Sequence, residues 1–434
     1  MTIFNLISLL GIGVFILIAW LLSADRKNFN TRVVLWGVGI QLAFAGFIFI
    51  VPAGAKIFMF LNDLVLQLLA AAAEGGKFLF GPLALPPGTS EGGATSIGFI
   101  LAFQALPTII FFASLLGVLY YYGIIPRLIE LFAYVFSRWL KISGAESLAV
   151  TSNLFVGLES ALTVKPYLEK MTKSELCAIL AAMMGTIASS TMAIYVMALQ
   201  PLFNNIAGHL VSASILSVPA AVIMAKVMLP ESEKPVTLGE KVKVYYEREH
   251  NPIEAVVNGA MAGGKMLFGV VVLLIAFIGL VALVNKITVF TGGGLNDILG
   301  TKIDFTLQGL LGYVCYPLTL AMGVHPADAF AVARLIGERA FVTEIPAYFE
   351  LAQLIRDNVL VDPRSAILAS YALCGFAHIA SLGIFVGGIA ALVPGKIREL
   401  TEVGFRALIA ATLACMMTAC VAGVFLTGSS ILIR

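Results

Sequence analysis

"NLFVGLESALTVKP", Asn153 to Pro166, decides how this chain is read. It lies in a sequence of 434 residues that is 60% hydrophobic and only 12% charged. Soluble domains run near a quarter charged, so the solvent for most of this chain is lipid. Yet the stretch sets Asn153, Glu159, Ser160, Thr163 and Lys165 among Leu, Phe and Val. Residues 144–170 begin and end on the same side of the membrane. Each arm of about 12 residues reaches about 18 Å at about 1.5 Å per residue, roughly half a bilayer. The reading is a re-entrant helical hairpin with its tip near Gly157.

Working outward, eight segments are long and apolar enough to span: 3–23, 33–52, 97–123, 175–201, 207–229, 265–287, 365–393 and 402–427. Basic residues cluster in alternate connections (Arg26, Lys27 and Arg32; Arg127, Arg138 and Lys141; Lys234, Lys241 and Lys243; Lys396 and Arg398). With these inside, both termini lie outside. Residues 53–96 then form an outer connection, and 124–143 a helix along the inner surface. Residues 230–262 form a cytoplasmic linker. The first apolar run lacks a basic leader and reads as a retained span. Gly292 to Gly294 read as a flexible outer loop; no strand precedes them and no GK[ST] follows.

A second hairpin falls at roughly 305–362, entered from the outer side. It carries "GERAFVTEIPAYFEL", Gly337 to Leu351, with its tip near Thr343 to Pro346. Each hairpin is followed by a span interrupted by small polar residues: "GTIASST", Gly185 to Thr191, and "CGFAHIASLG", Cys374 to Gly383. The fold class is therefore an all-α membrane protein with about eight spans and two re-entrant hairpins in inverted repeats. Residues 1–143 read as scaffold spans plus the inner-surface helix, and 144–229 as the first transport repeat. Residues 230–304 read as linker and scaffold span, and 305–434 as the second repeat.

Ionisable groups at membrane depth are functional by default. Glu159 and Glu344 sit at equivalent tips. Ser189, Ser190, Thr191, Ser381 and His378 line the breaks, and Phe376 offers a flat wall. Such a pocket suits a neutral, hydrogen-bonding solute with a planar part. Structural readings stay open: Glu159 pairing with Lys165, Glu344 with Arg339 or Arg334, and His378 as a packed histidine. The net charge of +2 argues for no particular partner, and no basic patch suggests nucleic acid. The five cysteines form no CxxC and read as small packing residues, not a metal or redox site.

Four motifs in this order resemble the concentrative nucleoside transporters: "NLFVG", "TIASSTMAIYV", "GERAFVTEIPAY" and "ALCGFAHIASLGI". The likeness spans nearly the whole chain. It implies a homotrimer in a bacterial inner membrane, each protomer with a fixed scaffold and a transport domain that moves like an elevator. It implies uptake of a nucleoside-like solute driven by a cation gradient. By resemblance, a sodium ion is held by Asn153, Val156, Thr186 and Ile187. Glu344 looks like the carboxylate that takes the sugar hydroxyls, with Phe376, His378 and Ser381 beside it. Thr191 and the tip residues Leu158, Glu159 and Ser160 stand on the base side. The chain departs from the family there: the usual Gly-Gln-Ser/Thr-Glu is Gly157-Leu158-Glu159-Ser160, the usual Asn-Glu-Phe-Val is Thr343-Glu344-Ile345-Pro346, and His378 replaces an Asn. An unusual nucleoside or related ring compound is implied. Competing readings are proton coupling through His378 and Glu159, an intramembrane acid–base enzyme using Glu159, Glu344 and His378, and a channel.

Overall fold

The computed structural model describes residues 2–91, 93–246 and 248–426. Helices α1 (Ile3–Leu21), α2 (Thr31–Ile50), α3 (Pro52–Phe80) and the short α4 (Leu101–Gln104) precede two matching series. The first series is α5 (Thr108–Tyr121), α6 (Ile124–Leu140), α7 (Gly144–Ser152), a 3₁₀ segment (Leu158–Val164) running into α8 (Lys165–Leu168), α9 (Lys173–Gly185), α10 (Ser189–Leu199) and α11 (Ile206–Met228). The second is α12 (Pro252–Leu299), α13 (Leu307–Ala321), α14 (Pro326–Phe341), α15 (Glu344–Arg356), α16 (Pro363–Ala372), α17 (Ile379–Leu392) and α18 (Ile397–Phe425). A two-residue ribbon, Ser90–Glu91 against Ala94–Thr95, accompanies the helices.

The packing repeats as well as the order. α7 packs on α9 as α14 does on α16, and α9 packs on α11 as α16 does on α18. α10 meets α15 as α17 meets the 3₁₀ arm of the first hairpin. The repeat therefore begins earlier than the hairpins, at α5 and α12. α13 occupies the place in the second half that the surface helix α6 holds in the first.

Among the described residues, eight helical segments are long and apolar enough to cross a membrane. The number matches the sequence reading, but the membership differs. The expected span 365–393 is two short helices, α16 and α17, around a break. In its place Pro52–Ala84 qualifies. Residues 53–96, read as a connection, hold the 29-residue α3. Asn62, Asp63, Gln67 and Glu74 dilute its apolar character. Its buried positions Phe58, Asn62, Val65, Leu69, Ala72 and Gly76 nevertheless alternate spacings of four and three, a clean helical stripe. Asn62 meets the first turn of α11 by accepting from the Gly208 N–H at 3.2 Å. Gly76, further along α3, approaches the Phe103 carbonyl. Both contacts lie on the side assigned to the outer connections, so α3 runs across that end of the bundle.

α12 has 48 residues, about 72 Å at about 1.5 Å per residue. Gly292 to Gly294 are part of it, not a flexible loop. α5 and α12 pair at very close range. A Cβ on Gly259 would meet the Ala113 carbonyl oxygen at 2.7 Å, and one on Gly263 would meet Ile110 Cα at 2.8 Å. Only glycine permits that approach. This pair meets the remaining bundle chiefly at α10. α9, α10, α11 and α18 are buried on nearly all sides, while α12 leaves most of its apolar surface exposed. α1 and α2 do not join the α5–α12 pair; they pack on α11 and α18. Arg364 of α16 fixes α1 in place by donating to Ser8 Oγ (2.7 Å) and the Gly423 carbonyl (2.8 Å).

The 230–250 linker is fastened to the first hairpin. The Gly144 N–H donates to the Thr237 carbonyl at 3.0 Å, and the Tyr245 N–H to the Thr163 carbonyl at 2.9 Å. The arms of that hairpin face each other, with Ser152 Oγ 3.2 Å from Thr163 Oγ1. One arm is α-helical and the other largely 3₁₀.

Candidate substrate and ion site

The two broken helices cross at their breaks. α9 stops at Gly185 and α10 starts at Ser189; α16 stops at Ala372 and α17 starts at Ile379. Gly375 sits against the other break, where an added Cβ would lie 2.7 Å from Cys415 Sγ and 3.0 Å from both Gly185 C and Met184 O. Extended backbone at membrane depth leaves carbonyls free of helical partners, and these must face side chains or a ligand.

On one side lie α7, α9 and the first hairpin tip. Asn153 follows the last turn of α7 and is buried. Its Oδ1 accepts from Ser160 Oγ at 2.9 Å and its Nδ2 donates to the Ala149 carbonyl at 3.1 Å. Thr186 follows the last turn of α9 in extended conformation (φ −122°, ψ 167°). Its hydroxyl lies 2.9 Å from the Ala182 carbonyl and 3.5 Å from the Asn153 carbonyl. Val156 and Ile187, on the same two segments, are also buried. The structure thus brings together the segments carrying Asn153, Val156, Thr186 and Ile187. Their donor set is all oxygen and untitratable, and two helix C-termini, each equivalent to about half a negative charge, end beside it. That set fits a hard monovalent cation.

On the other side lie α10, α15 and α17. Glu344 opens α15 and is buried at 3% exposure. Tyr195 Oη donates to Glu344 Oε1 at 2.6 Å. His378 caps α17: the Ser381 N–H donates to His378 Nδ1 at 3.1 Å. Nδ1 is thus an acceptor, which leaves the ring proton on Nε2. Nε2 lies 2.8 Å from Ser381 Oγ and 3.1 Å from Glu344 Oε2. His378 Nε2 is the donor that approaches Oε2, and among the described residues the buried Thr343 Oγ1 has no hydrogen-bond partner. Neither Arg339 nor Arg334 pairs with Glu344: Arg334 approaches Asp304 at 3.6 Å, and Arg339 Nη1 donates to the Ala372 carbonyl. Phe376 is half-buried beside Phe385.

The first hairpin tip divides its residues between two faces. Glu159 is exposed and lines a cavity of about 360 Å³ between the tip and the α5–α12 pair. Lys165, Tyr120, Tyr246, Ser190 and Met266 line it too. Among the described residues no ion pair joins Glu159 to Lys165. Ser160, expected on the solute side, is fully buried and turned onto Asn153. In a 3₁₀ segment successive side chains stand about 120° apart, so neighbours face different ways. Thr191 is buried, its hydroxyl 3.0 Å from the Ala188 carbonyl. The side chain of Leu158 lies outside the described residues. Tyr195 escaped the sequence reading. Its place one helical turn beyond Thr191 was the available signal.

A paired set of broken helices and half-span hairpins around buried oxygens defines a membrane transporter of the inverted-repeat class. The family models agree. The C-terminal model of the Na+ dependent nucleoside transporters matches residues 209–423, the N-terminal model residues 10–83, and a "Nucleoside recognition" gate model residues 102–202. An uncharacterized transporter of Haemophilus influenzae is 37% identical over 424 residues, 96% of this chain and 97% of that protein. The nucleoside permease NupC of Helicobacter pylori is 32% identical, covering 97% of this chain and 98% of that one. Solute carrier family 28 member 3 of Homo sapiens is 34% identical over 97% of this chain, which spans 60% of its length. The solved structure of CNTnw in an inward-facing substrate-bound state superposes with a TM-score of 0.85 at 33% identity, covering 97% of this chain and 98% of that one. A variant of CNTnw in an outward-facing state gives 0.87 at 33% identity, covering 99% and 100%. The chain belongs to the Na+-dependent, or concentrative, nucleoside transporter family.

Proposed function

We propose that this chain is a sodium-coupled symporter that imports a nucleoside or a closely related ring compound by an elevator movement. One observation carries the reading. Glu344, buried at membrane depth, has at Oε2 a single approaching donor among the described residues, His378 Nε2–H, with Ser381 Oγ beside it, and so retains acceptor capacity. A vicinal diol supplies two O–H donors to a carboxylate and an oxygen acceptor to an imidazole N–H. Glu159, in the cavity on the α5–α12 side, would face the ring of the solute. As a carboxylate it accepts only, so it favours ring edges that present N–H groups.

Sodium would be held by Asn153 and Thr186 side-chain oxygens with the Val156 and Ile187 carbonyls. It would stiffen the same tip that carries Glu159, because Ser160 is bonded to Asn153. Ion and solute then help each other to bind, and by linkage the help is reciprocal. In this reading the moving body comprises α7–α11 and α14–α18 with α1 and α2 attached. The α5–α12 pair is the stationary part, and α12 gives an apolar face to lipid and to neighbouring copies in a homotrimer. The inward-facing, outward-facing and intermediate states of CNTnw support such a movement. A bacterial inner membrane suits the likeness to NupC.

The test is the melting temperature of the purified protein with nucleosides, nucleobases and free sugars, each with and without sodium. A nucleoside shift that grows with sodium supports the symporter, by mass action. A shift with nucleosides that ignores sodium but follows pH would replace sodium by protons. Silence towards every nucleoside would overturn the substrate class.

A further inference from the structure

The inverted repeat pairs the α7–α9 junction with the α14–α16 junction. In both, two helices end side by side at membrane depth with their carbonyl ends converging. Each helix C-terminus is equivalent to about half a negative charge, so each junction favours a cation. The first junction offers only neutral oxygens. The second contains Arg339, which is 0% exposed. Arg339 stands in the last turn of α14, and its Nη1 donates to the carbonyl of Ala372, the last residue of α16.

The surroundings of this guanidinium are unusual for a buried charge. Among the described residues no carboxylate forms an ion pair with it. Among the described residues its Nε and Nη2 have no oxygen or nitrogen partner, and the Cys415 thiol is the side chain within hydrogen-bonding reach of the guanidinium. Cys374, Cys415 and Tyr348 lie within its electrostatic range. The nearby Glu344 is turned instead to Tyr195 and His378. An unpaired charge buried in this way is costly. The converging helix ends supply the negative field that offsets the cost.

We propose that Arg339 is the resident cation of the second repeat: a positioning residue whose guanidinium occupies the α14–α16 junction. It does there by covalent attachment what an exchangeable ion does at the first junction. Hairpin 2, with Glu344 five residues further on, is then set in place independently of the cation gradient, while hairpin 1 responds to it. The comparison with the first junction rests on the sodium reading above; the role of the Arg339 charge does not.

The test uses the full chain, purified, with Arg339→Lys, Arg339→Met and Arg339→Ala. Melting temperature is measured without sodium or solute, across a methylguanidinium series, and nucleoside uptake is measured in proteoliposomes. Arg339→Lys should keep uptake within about threefold of the unaltered chain, and Arg339→Met should lose at least about tenfold, roughly the one to two kcal/mol steps of a lost charged contact. Methylguanidinium should raise the melting temperature of Arg339→Ala saturably and leave the unaltered chain unmoved. A stable, active Arg339→Met overturns the proposal. So does a folded Arg339→Ala with no saturable response, or an Arg339→Lys that fails as badly as Met. If Arg339→Ala does not fold, Arg339→Lys decides: folded and active supports the proposal, unfolded overturns it. Absence of nucleoside uptake by the unaltered chain would sink the transport reading and leave the melting series to judge Arg339.

Discussion

Glu344→Gln tests the solute site most directly, because it preserves shape and removes only acceptor capacity and charge. One amide oxygen can still accept from Tyr195, as Oε1 does at 2.6 Å. The other position becomes an NH2 group. It then points a donor at His378 Nε2–H, 3.1 Å away in the native chain, and at any incoming hydroxyl. A hydrogen bond to a charged group contributes about 1.5–3 kcal/mol, and the donor-to-donor contact adds to the loss. The expected cost to nucleoside binding is about 2–4 kcal/mol, or roughly 30-fold to 1000-fold in Kd. The assay is saturation binding to purified protein at fixed sodium, with a nucleoside and its 2′,3′-dideoxy analogue. The analogue lacks the diol, so it should bind the unaltered chain weakly and lose little more in the variant. That pattern is a double-mutant cycle between Glu344 and the diol. If nucleoside and analogue lose affinity equally in a folded Glu344→Gln, the assignment of Glu344 to the sugar is refuted.

Asn153→Ala should weaken the sodium dependence of uptake and of the melting temperature, because Oδ1 is a side-chain ligand candidate; unchanged sodium activation counts against the ion site. Glu159→Gln should alter the ranking of ring edges, admitting acceptor-bearing rings, while the half-activating sodium concentration stays within about threefold; an unchanged ranking in competition uptake removes Glu159 from the ring side. Gly375→Ala should destabilise the crossing of the two breaks by about 1–3 kcal/mol, since its Cβ would press on Cys415 Sγ and the Gly185 backbone; a melting temperature equal to that of the unaltered chain would show that the crossing can yield.

The hairpins were legible because polar residues stood where apolar ones were needed. Glu159 and Glu344 marked tips, and "GTIASST" and "CGFAHIASLG" marked breaks, since no continuous span would carry them. α3 was overlooked for the opposite reason. Six polar side chains, Lys56, Asn62, Asp63, Gln67, Glu74 and Lys77, interrupt its apolar run, although the helix is long and apolar enough to cross a membrane and its buried stripe from Phe58 to Gly76 is intact. The length of α12 was hidden by Gly292 to Gly294, which cost helix propensity locally but are carried by the helix on either side. Ser160 turns onto Asn153 while its neighbour Glu159 faces the cavity, because the arm is 3₁₀ and not α-helical. Sequence periodicity does not say which of two adjacent side chains turns inward when the period itself is unknown. Arg339 was considered only as a partner for Glu344. Its real contact is a main-chain carbonyl of Ala372, 33 residues away, and such a contact leaves no trace in residue types.

That one-residue difference at the tip bears on coupling. Ser160 faces Asn153 and Glu159 faces the cavity, so a single backbone step joins the ion side to the solute side. Any shift of Asn153 towards a bound cation pulls on Ser160 through a 2.9 Å hydrogen bond and swings its neighbour. Ser160→Ala removes that bond but no group from either ligand set. If the tip transmits coupling, the variant should bind sodium and solute separately with near-native affinity, while the gain in solute affinity on adding sodium shrinks. A bond contributing about 1 kcal/mol bounds that shrinkage at roughly fivefold. An unchanged gain would move the coupling away from the hairpin tip to the crossing at Gly375 and Gly185, where the two breaks come together around the Cys415 thiol.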